Sequence, residues 1–452
     1  MKIVIVGVGK VGKTLVENFI NEKHDVVVVD VNSTAVENMV NAYDVKGLAG
    51  GGLEKEVLIG ANVPESDLFI ACTSRDEMNI LTCVLAKNLG AKRTIARVRD
   101  PEYLKEMENL RQELGLDLIF NPEKRTAYEI DNALKFPSAK KVEVFAGGRA
   151  MMVEFEIEKG NPIVGKKVMD VCRHYGNKIL FGMVTRGNKE FIPNGAFVME
   201  KEDRIHVIGS DKDISAFCKK TGMFKQRAKT IMIIGGGKIA VHLANELCKS
   251  PEVNVKIIEE DSSVCERLAE ILPRATIICG DGTDQNLLSE EKISNADACV
   301  TLTDFDESNV VISLYAMQKN VEKVITKINR SSIYDMAEYI GLDTVVSPRK
   351  ATADQIIGYV RSHKNEGEGG IINFYKLGSS TEATEFEVGE SFEYLNTPLK
   401  DLKIKPNTLI GGIVREEQFI LPSGETIIEK GDKVIVVSLI KQITDLAGIF
   451  KQ

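Results

Sequence analysis

Close to its start the chain reads Gly7-Val8-Gly9-Lys10-Val11-Gly12, directly after the apolar run at residues 3–6. Glycines at these three positions let a backbone turn tightly, approach a pyrophosphate closely and pack a helix on a strand. The helix that opens there offers free N–H groups and a partial positive charge to an anion. Asp30 ends a second apolar run, residues 26–29, where a carboxylate accepts hydrogen bonds from ribose hydroxyls and repels a 2′-phosphate. That favours NAD(H) or an adenosine nucleotide over NADP. The constellation returns as Gly235-Gly236-Gly237-Lys238-Ile239-Ala240 after the run 231–234, with Glu259 as ribose acceptor and Glu260 beside it. Ala240 stands at the helix-packing position, a substitution the fingerprint tolerates. Asp281, in Gly280-Asp281-Gly282-Thr283, adds a turn where a third strand should reach the crevice. In the first half Gly47-Leu48-Ala49-Gly50 is matched to that turn. Leu48 cannot accept a hydrogen bond, so the two sites are expected to differ.

Further polar groups fall at carboxyl ends of predicted strands, where open α/β sheets bind ligands. Thr73 and Ser74 follow the run 68–72, and Thr303 takes the matching place in the second half. Asp76 and Glu77 read as acids of a helix's first turn. Arg97 ends the run 94–96 and is suited to bidentate phosphate contact, as is Arg99; Lys327 replaces Arg97 in the second half as a point charge. Hydride-transfer catalysis would need an acid or base poised over a nicotinamide. None of the five histidines recurs in the other half, and none is expected to cluster with carboxylates, so they read as surface or packing residues. Tyr315 and Lys319, with Thr303, match the spacing of short-chain dehydrogenase catalysts, but Leu85 and Leu89 stand in the corresponding first-half positions. An NAD-dependent oxidoreductase acting on a small carbonyl substrate is therefore the alternative to a binding protein, and no catalytic residue is assigned. The eight cysteines form no C-x-x-C pair; they read as small hydrophobes in a reducing cytosol, without metal or disulfides.

The elements that position these groups are written twice. Thr73-Ser74-Arg75-Asp76-Glu77-Met78-Asn79 returns as Thr303-Asp304-Phe305-Asp306-Glu307-Ser308-Asn309, and Gly182-Met183-Val184-Thr185-Arg186 as Gly411-Gly412-Ile413-Val414-Arg415. The anchors keep one order at a spacing of about 230 residues, which makes the chain a tandem duplication. Residues 1–137 alternate short β-branched runs with helical stretches, the pattern of a parallel sheet with crossover helices. Residues 142–222 are richer in strands; 229–362 and 371–452 repeat the two parts. The predicted fold class is thus α/β, with two Rossmann-type doubly wound parallel-sheet domains, each followed by a small α/β C-lobe. The glycine-rich stretch 363–370 and residues 221–229 read as linkers.

Bulk composition narrows the partners. A net charge of −8 over 452 residues gives no overall basic balance for displacing counterions from nucleic acid, so no nucleic-acid partner is expected. No apolar run approaches the ~20 residues of a membrane-spanning helix, and the first residues enter a strand rather than a signal peptide, so a cytoplasmic location is expected.

With these motifs in place, the chain resembles the TrkA family, cytosolic regulators of Trk-type potassium uptake built from two tandem RCK units. The motifs that carry the likeness are Asp30 after its valine run, Thr73-Ser74 with Asp76-Glu77 and Asn79, Ile95-Ala96-Arg97, Gly235-Gly236-Gly237 with Ile239, and Gly280-Asp281-Gly282-Thr283. The resemblance implies NAD(H) and ATP/ADP as regulatory ligands. It also implies a homotetramer whose eight RCK units form a ring, docked on a membrane-embedded potassium transporter. It groups Gly7, Val8, Gly9, Lys10, Val11, Asp30, Thr73, Ser74 and Arg97 in one site. Gly235, Gly236, Gly237, Lys238, Ile239, Glu259, Asp281, Thr303 and Lys327 form the other.

Overall fold

A computed structural model describes residues 1–175, 178–223, 226–342, 344–362, 370–440 and 443–451. Most of the linker stretch 363–370, His363 included, lies outside the described residues, as do Phe224, Lys225 and Asp343. The chain divides into two compact units, Met1–Thr126 with Ser347–Ala353, and Ala127–Val346 with Asp354–Gln452.

In the first unit the β-branched runs become β1 (Lys2–Val6), β2 (Asp25–Asp30), β3 (Lys46–Ala49), β4 (Leu68–Ala71), β5 (Thr94–Arg97) and β6 (Leu118–Phe120). Every pairing is parallel, in the order β3-β2-β1-β4-β5-β6. The order reverses beside β1, and a crevice opens at the strands' carboxyl ends at such a point. The crossovers are α1 (Lys10–Asn21), α2 (Ser33–Tyr43), α3 (Lys55–Gly60), α4 (Asp76–Leu89) and α5 (Pro101–Leu110), followed by α6 (Pro122–Lys135). α1 buries Val11, Leu15, Val16 and Phe19, an i, i+4, i+5 stripe that seats it on the sheet. Gly90, left-handed at φ +115°, closes α4.

An antiparallel lobe follows: β7 (Lys141–Phe145), β8 (Ala150–Glu156), β9 (Leu180–Arg186), β10 (Lys189–Phe191) and β11 (Arg204–Gly209), with α7 (Val168–Tyr175) and α8 (Asp211–Thr221). The second parallel sheet comprises β12 (Thr230–Ile234), β13 (Asn254–Glu259), β14 (Thr276–Cys279), β15 (Ala298–Thr301), β16 (Lys323–Lys327) and β17 (Thr344–Val346), in the order β14-β13-β12-β15-β16-β17. Its helices are α9 (Lys238–Leu247), α10 (Ser262–Ile271), α11 (Gln285–Glu290), α12 (Asp306–Gln318) and α13 (Ser331–Ile340), and α14 (Pro348–Ser362) follows β17, with residues up to Ala353 counted in the first unit. Ala127, Ile130, Ala133 and Leu134 of α6 join the core of this second sheet with Ile231, Ile233 and Leu243. The last lobe pairs β18 (Ile371–Lys376), β19 (Glu382–Glu387), β20 (Thr408–Arg415), β21 (Gln418–Ile420) and β22 (Lys433–Ser438) in antiparallel fashion.

Strand alternation gives the first antiparallel sheet two apolar faces. Ile205 and Val207 face a core with Ile214 and Phe217 of α8. On the other face Phe145, Met152 and Ile208 pack against Tyr375, Ala383, Ile435 and Val437 of the last lobe. The recurring arginines are structural: Arg186 clamps buried Asp203 through two bonds of 2.7 and 2.8 Å, and Arg415 clamps buried Asp432 through two of 2.8 Å. One expectation fails here. His206 is buried with Glu154 at 3.6 Å, and His24 lies 3.8 Å from Glu22, so these two histidines do meet carboxylates. The sheet register explains the first pair, because His206 stands directly opposite Glu154 across β11 and β8. Burial holds the His206 imidazole below its usual pKa.

Glu190 of β10 joins the two antiparallel lobes. Its carboxylate accepts hydrogen bonds from the Thr381 and Ser379 hydroxyls at 2.6 and 2.9 Å, and from the N–H groups of Ser379, Ser380 and Thr381 at 2.6, 3.2 and 2.9 Å. Burial alone would raise its pKa, but these donors prevail and the carboxyl sits below its ordinary value of 4.5. A depressed carboxylate contributes stability that is whole above the unfolded value and is lost as pH falls through the folded one. Below 4.5 the clasp should therefore weaken. Urea unfolding at pH 6 and at stepwise lower pH should show a stability loss that is smaller in Glu190→Gln; equal losses would assign the titration elsewhere.

Candidate nucleotide-binding sites

Both glycine turns take the same backbone path. Gly7 and Gly235 are left-handed, at φ +97° and +102°. A Cβ on Gly7 would stand 2.8 Å from the Thr73 nitrogen, and one on Gly235 would stand 2.9 Å from the Leu302 carbonyl carbon. Only glycine suits such a place. Gly9 and Gly237 are the N-caps of α1 and α9, extended, with no side-chain cap and no acid in the first turn. Nothing lies within 4 Å of where a Cβ would stand on either. The opening turn of each helix is thus free of its own side chains at the place where an anion would sit. Lys10 and Lys238 are exposed beside it, whereas Val11 and Ile239 point into the core and Val8 is buried.

The two acidic residues occupy matching places. Asp30 accepts the Val8 N–H at 2.8 Å and the Asn32 N–H at 2.9 Å. Glu259 accepts the Gly236 N–H at 2.6 Å and the Asp261 N–H at 3.0 Å. Each carboxylate therefore braces the glycine turn against the neighbouring strand, and its remaining lone pairs can still receive ribose hydroxyls. Bracing is a role that spacing alone does not reveal.

Thr73 and Thr303 lie at the carboxyl ends of β4 and β15, and Ser74 beside Thr73 is exposed. Each threonine donates its hydroxyl proton to a fully buried asparagine, at 2.7 Å to Asn79 and 2.8 Å to Asn309, so only its lone pairs remain for a ligand. The asparagines also accept the threonine N–H groups and donate to the carbonyls of Arg97 and Lys327, both at 3.0 Å. They tie the ends of neighbouring strands together. The recurrence of Thr and Asn six positions apart in both halves was the available signal for this role. Asp76 begins α4, as a first-turn acid should, and also accepts the Arg99 and Asp100 N–H groups at 2.8 Å. Arg99 is engaged with Asp76 and the Ser74 carbonyl. Arg97 bonds Glu123 at 3.2 Å while its buried Nε lacks a partner among the described residues. Lys327 is buried, with Nζ 3.1 Å from the Leu302 carbonyl.

The third-strand match needs correcting. Gly280 N–H bonds the Glu259 carbonyl at 2.8 Å, and the group that does the same to Asp30, at 2.9 Å, is Gly50. Gly51 is therefore the counterpart of Asp281, and Leu48 lies one strand position before the end of β3. Asp281 is exposed and folds its carboxylate onto Thr283, whose N–H and hydroxyl hold it below its usual pKa. The first site still lacks this carboxylate, for a different residue. Tyr315 hydrogen-bonds Ser289 and the Gln285 carbonyl, at 2.8 and 3.2 Å, and Lys319 covers its ring; the pair holds α11 to α12 rather than facing the glycine turn.

Two family models match in duplicate: the TrkA-N domain over residues 3–122 and 231–348, and the TrkA-C domain over 152–222 and 383–451. The chain belongs to the TrkA family. Among its relatives, Trk system potassium uptake protein TrkA homolog 2 of Methanosarcina mazei is 32% identical over 458 residues, covering 100% of both chains. Trk system potassium uptake protein TrkA of Vibrio alginolyticus is 29% identical, covering 100% of this chain and 99% of its own. In fold, this TrkA-family chain is similar to the GsuK RCK domain, with TM-score 0.63 and 20% identity over 98% of this chain and 93% of that one. Each TrkA-N segment carries one glycine turn with its acidic brace, and each TrkA-C segment one clamped arginine.

Proposed function

We propose that this chain is the nucleotide-sensing regulatory subunit of a Trk-type potassium uptake system, with one NAD(H) or ATP/ADP site in each Rossmann lobe. The observation that carries it is the duplicated open glycine turn braced by an acidic residue. The first site comprises Gly7 to Gly12, Asp30, Thr73, Ser74 and Arg97; the second comprises Gly235 to Ile239, Glu259, Asp281, Thr303 and Lys327. The relatives are named for potassium uptake, and the GsuK channel has been solved bound to NAD and GsuK bound to ADP. Those likenesses carry the fold; the ligands are argued here from the residues. The protein acts by binding rather than by catalysis. Among the described residues no helix is long and apolar enough to cross a membrane, so a membrane transporter must be reached by docking. We place the chain in the cytoplasm, at the inner membrane face, divided into lobes 1–137, 142–222, 229–362 and 371–452.

Self-association into a tetramer fits the exposed apolar side chains of the second Rossmann lobe. Phe305, Val311 and Leu314 at α12, and Met336 and Tyr339 of α13, are 68, 58, 38, 57 and 92% exposed, apolar surface that a partner copy could cover. Two nucleotides that prefer different arrangements of a crevice bias an assembly only by their difference in affinity. A ratio of ~100 between conformers is worth ~2.7 kcal/mol per site, and coupled sites sum.

The test is nucleotide affinity in Asp30→Ala and Glu259→Ala, measured separately by calorimetry with NADH, ADP and ATP. Loss of hydrogen bonds to a charged group should weaken one site in each variant by roughly 10- to 100-fold, leaving the other site intact. Unchanged affinity in both variants would remove the two-site assignment. Mass measurement of the purified assembly decides the tetramer.

A further inference from the structure

Sequence spacing kept the cysteines apart, but folding brings two of them together beside the second acidic brace. Cys265 lies in the first turn of α10 and Cys279 ends β14, directly opposite Glu259 in the parallel register. The Cys265 Sγ is 3.3 Å from the Glu259 carbonyl oxygen, and the Cys279 Sγ is 4.0 Å from that of the next residue, Glu260. Both cysteines thus lie beside Glu259, one against its carbonyl oxygen and the other across the strand pair from it. Cys279 is exposed, whereas Cys265 is nearly buried at 8% exposure. The corresponding first-half residues are Val36 in the first turn of α2 and Ala49 at the end of β3, so this pair belongs to the second half alone.

We infer that Cys265 and Cys279 form a reversible disulfide when the protein meets a hydroperoxide, and that the disulfide weakens nucleotide binding at the second site only. The binding part rests on the site assignment above. The exposed Cys279 thiolate attacks the outer peroxide oxygen; the O–O bond breaks, an alcohol or water leaves, and Cys279 becomes a sulfenic acid. The Cys265 sulfur then attacks the Cys279 sulfur, and its thiol proton departs with the hydroxyl group as water. Two thiols and one hydroperoxide thus give one disulfide, one alcohol (or water) and one further water. Burial, reinforced by the neighbouring Cys279, pushes the Cys265 thiol up to about 11, which suits it to the resolving role rather than the first attack. A regulatory disulfide in the cytosol is expected to be transient in this way.

Bond formation must draw the two sulfurs to ~2.05 Å, pulling the first turn of α10 toward the end of β14. Glu259, which braces the glycine turn, takes the Cys265 thiol on its carbonyl and stands opposite Cys279, and Asp281 follows Cys279 by two residues. The Glu259 carbonyl also loses the Cys265 thiol as a donor, since its hydrogen leaves as water. Each change disturbs groups assigned to the second site.

The full-length protein is treated with hydrogen peroxide, quenched with a thiol-alkylating reagent under denaturing conditions, digested and weighed. The expected product is a cross-linked pair of peptides holding Cys265 and Cys279, lighter by two hydrogens and restored by dithiothreitol. Cys265→Val with Cys279→Ala, which installs the first half's own residues, should abolish it. ADP and NADH affinity is then read in Asp30→Ala, so that the second site is seen alone; oxidation should weaken it roughly tenfold, a typical coupling between linked events. The first site, read in Glu259→Ala, should be unmoved. Stable sulfenic or sulfonic acid at Cys279 without the cross-link would overturn the pairing. A cross-link that leaves second-site affinity unchanged would overturn the regulatory part. Reduced protein that binds neither nucleotide would instead defeat the site assignment, with the pairing decided by mass alone.

Discussion

Replacing Asn79 with alanine should destabilise the first Rossmann lobe by about 3 kcal/mol and loosen its nucleotide site as well, and Asn309→Ala should do the same in the second. Asn79 is fully buried and uses both ends of its amide: the oxygen accepts from the Thr73 N–H at 2.8 Å and the Thr73 hydroxyl at 2.7 Å, and the nitrogen donates to the Arg97 carbonyl at 3.0 Å. Alanine leaves the Thr73 N–H and the Arg97 carbonyl without these partners in a part-buried place, and each such orphan costs about 1–3 kcal/mol. The ends of β4 and β5 are also released, and both carry proposed ligand contacts. Asn79→Asp is a sharper probe, because it keeps the acceptor but sets a carboxylate oxygen against the Arg97 carbonyl. It should be at least as damaging. The measurement is urea unfolding, where a lower midpoint with unchanged slope marks a true loss of native stability. Wild-type stability in Asn79→Ala would mean that water or another side chain takes over these bonds.

How much of this was legible depended on whether the signal was local. The glycine turns and their acidic partners could be read because a strand, a tight turn and a helix start lie within a few residues, and Asp30 and Glu259 end strands with clear β-branched runs. β3 was misplaced for the opposite reason. Its four residues Lys46–Ala49 are only half-buried and include a glycine, so no apolar run marks where it ends. Asn79 and Asn309 were visible as repeated letters but not as clasps, since their partners Arg97 and Lys327 lie on another strand. The Cys265–Cys279 pair and the Glu190 clasp were equally hidden, each joining segments whose approach is set by sheet register or lobe packing. The apolar stripe of α6 is plain in sequence, but the second sheet it covers is not named by any local pattern.

Gly12 provides the strongest test of whether the two turns differ as the residues say. Its second-half counterpart is Ala240, so Gly12→Ala reads as a substitution the protein already makes. The geometry says otherwise. A Cβ on Gly12 would stand 2.0 Å from the Gly7 carbonyl oxygen and 3.3 Å from the Cys72 sulfur. That carbonyl accepts the Cys72 thiol at 3.1 Å, and Gly7 cannot retreat because the Thr73 backbone lies behind it. The helix must therefore lift from the sheet, unseating Leu15, Val16 and Phe19. Overpacking of this kind costs about 3 kcal/mol for the single methyl group, and Gly12→Val should cost more. In the second half the place of Cys72 is taken by Leu302, and α9 already sits to admit the buried Ala240. Ala240→Gly should therefore cost only about 1 kcal/mol, the helix-propensity difference. Because the first N–H groups of α1 move with the helix, Gly12→Ala should also abolish measurable binding at the first site while the second binds normally. Calorimetry on Gly12→Ala alone and combined with Glu259→Ala separates the two. First-site affinity equal to wild type would show that α1 does not need this close approach, and that the anion does not rest on its opening turn.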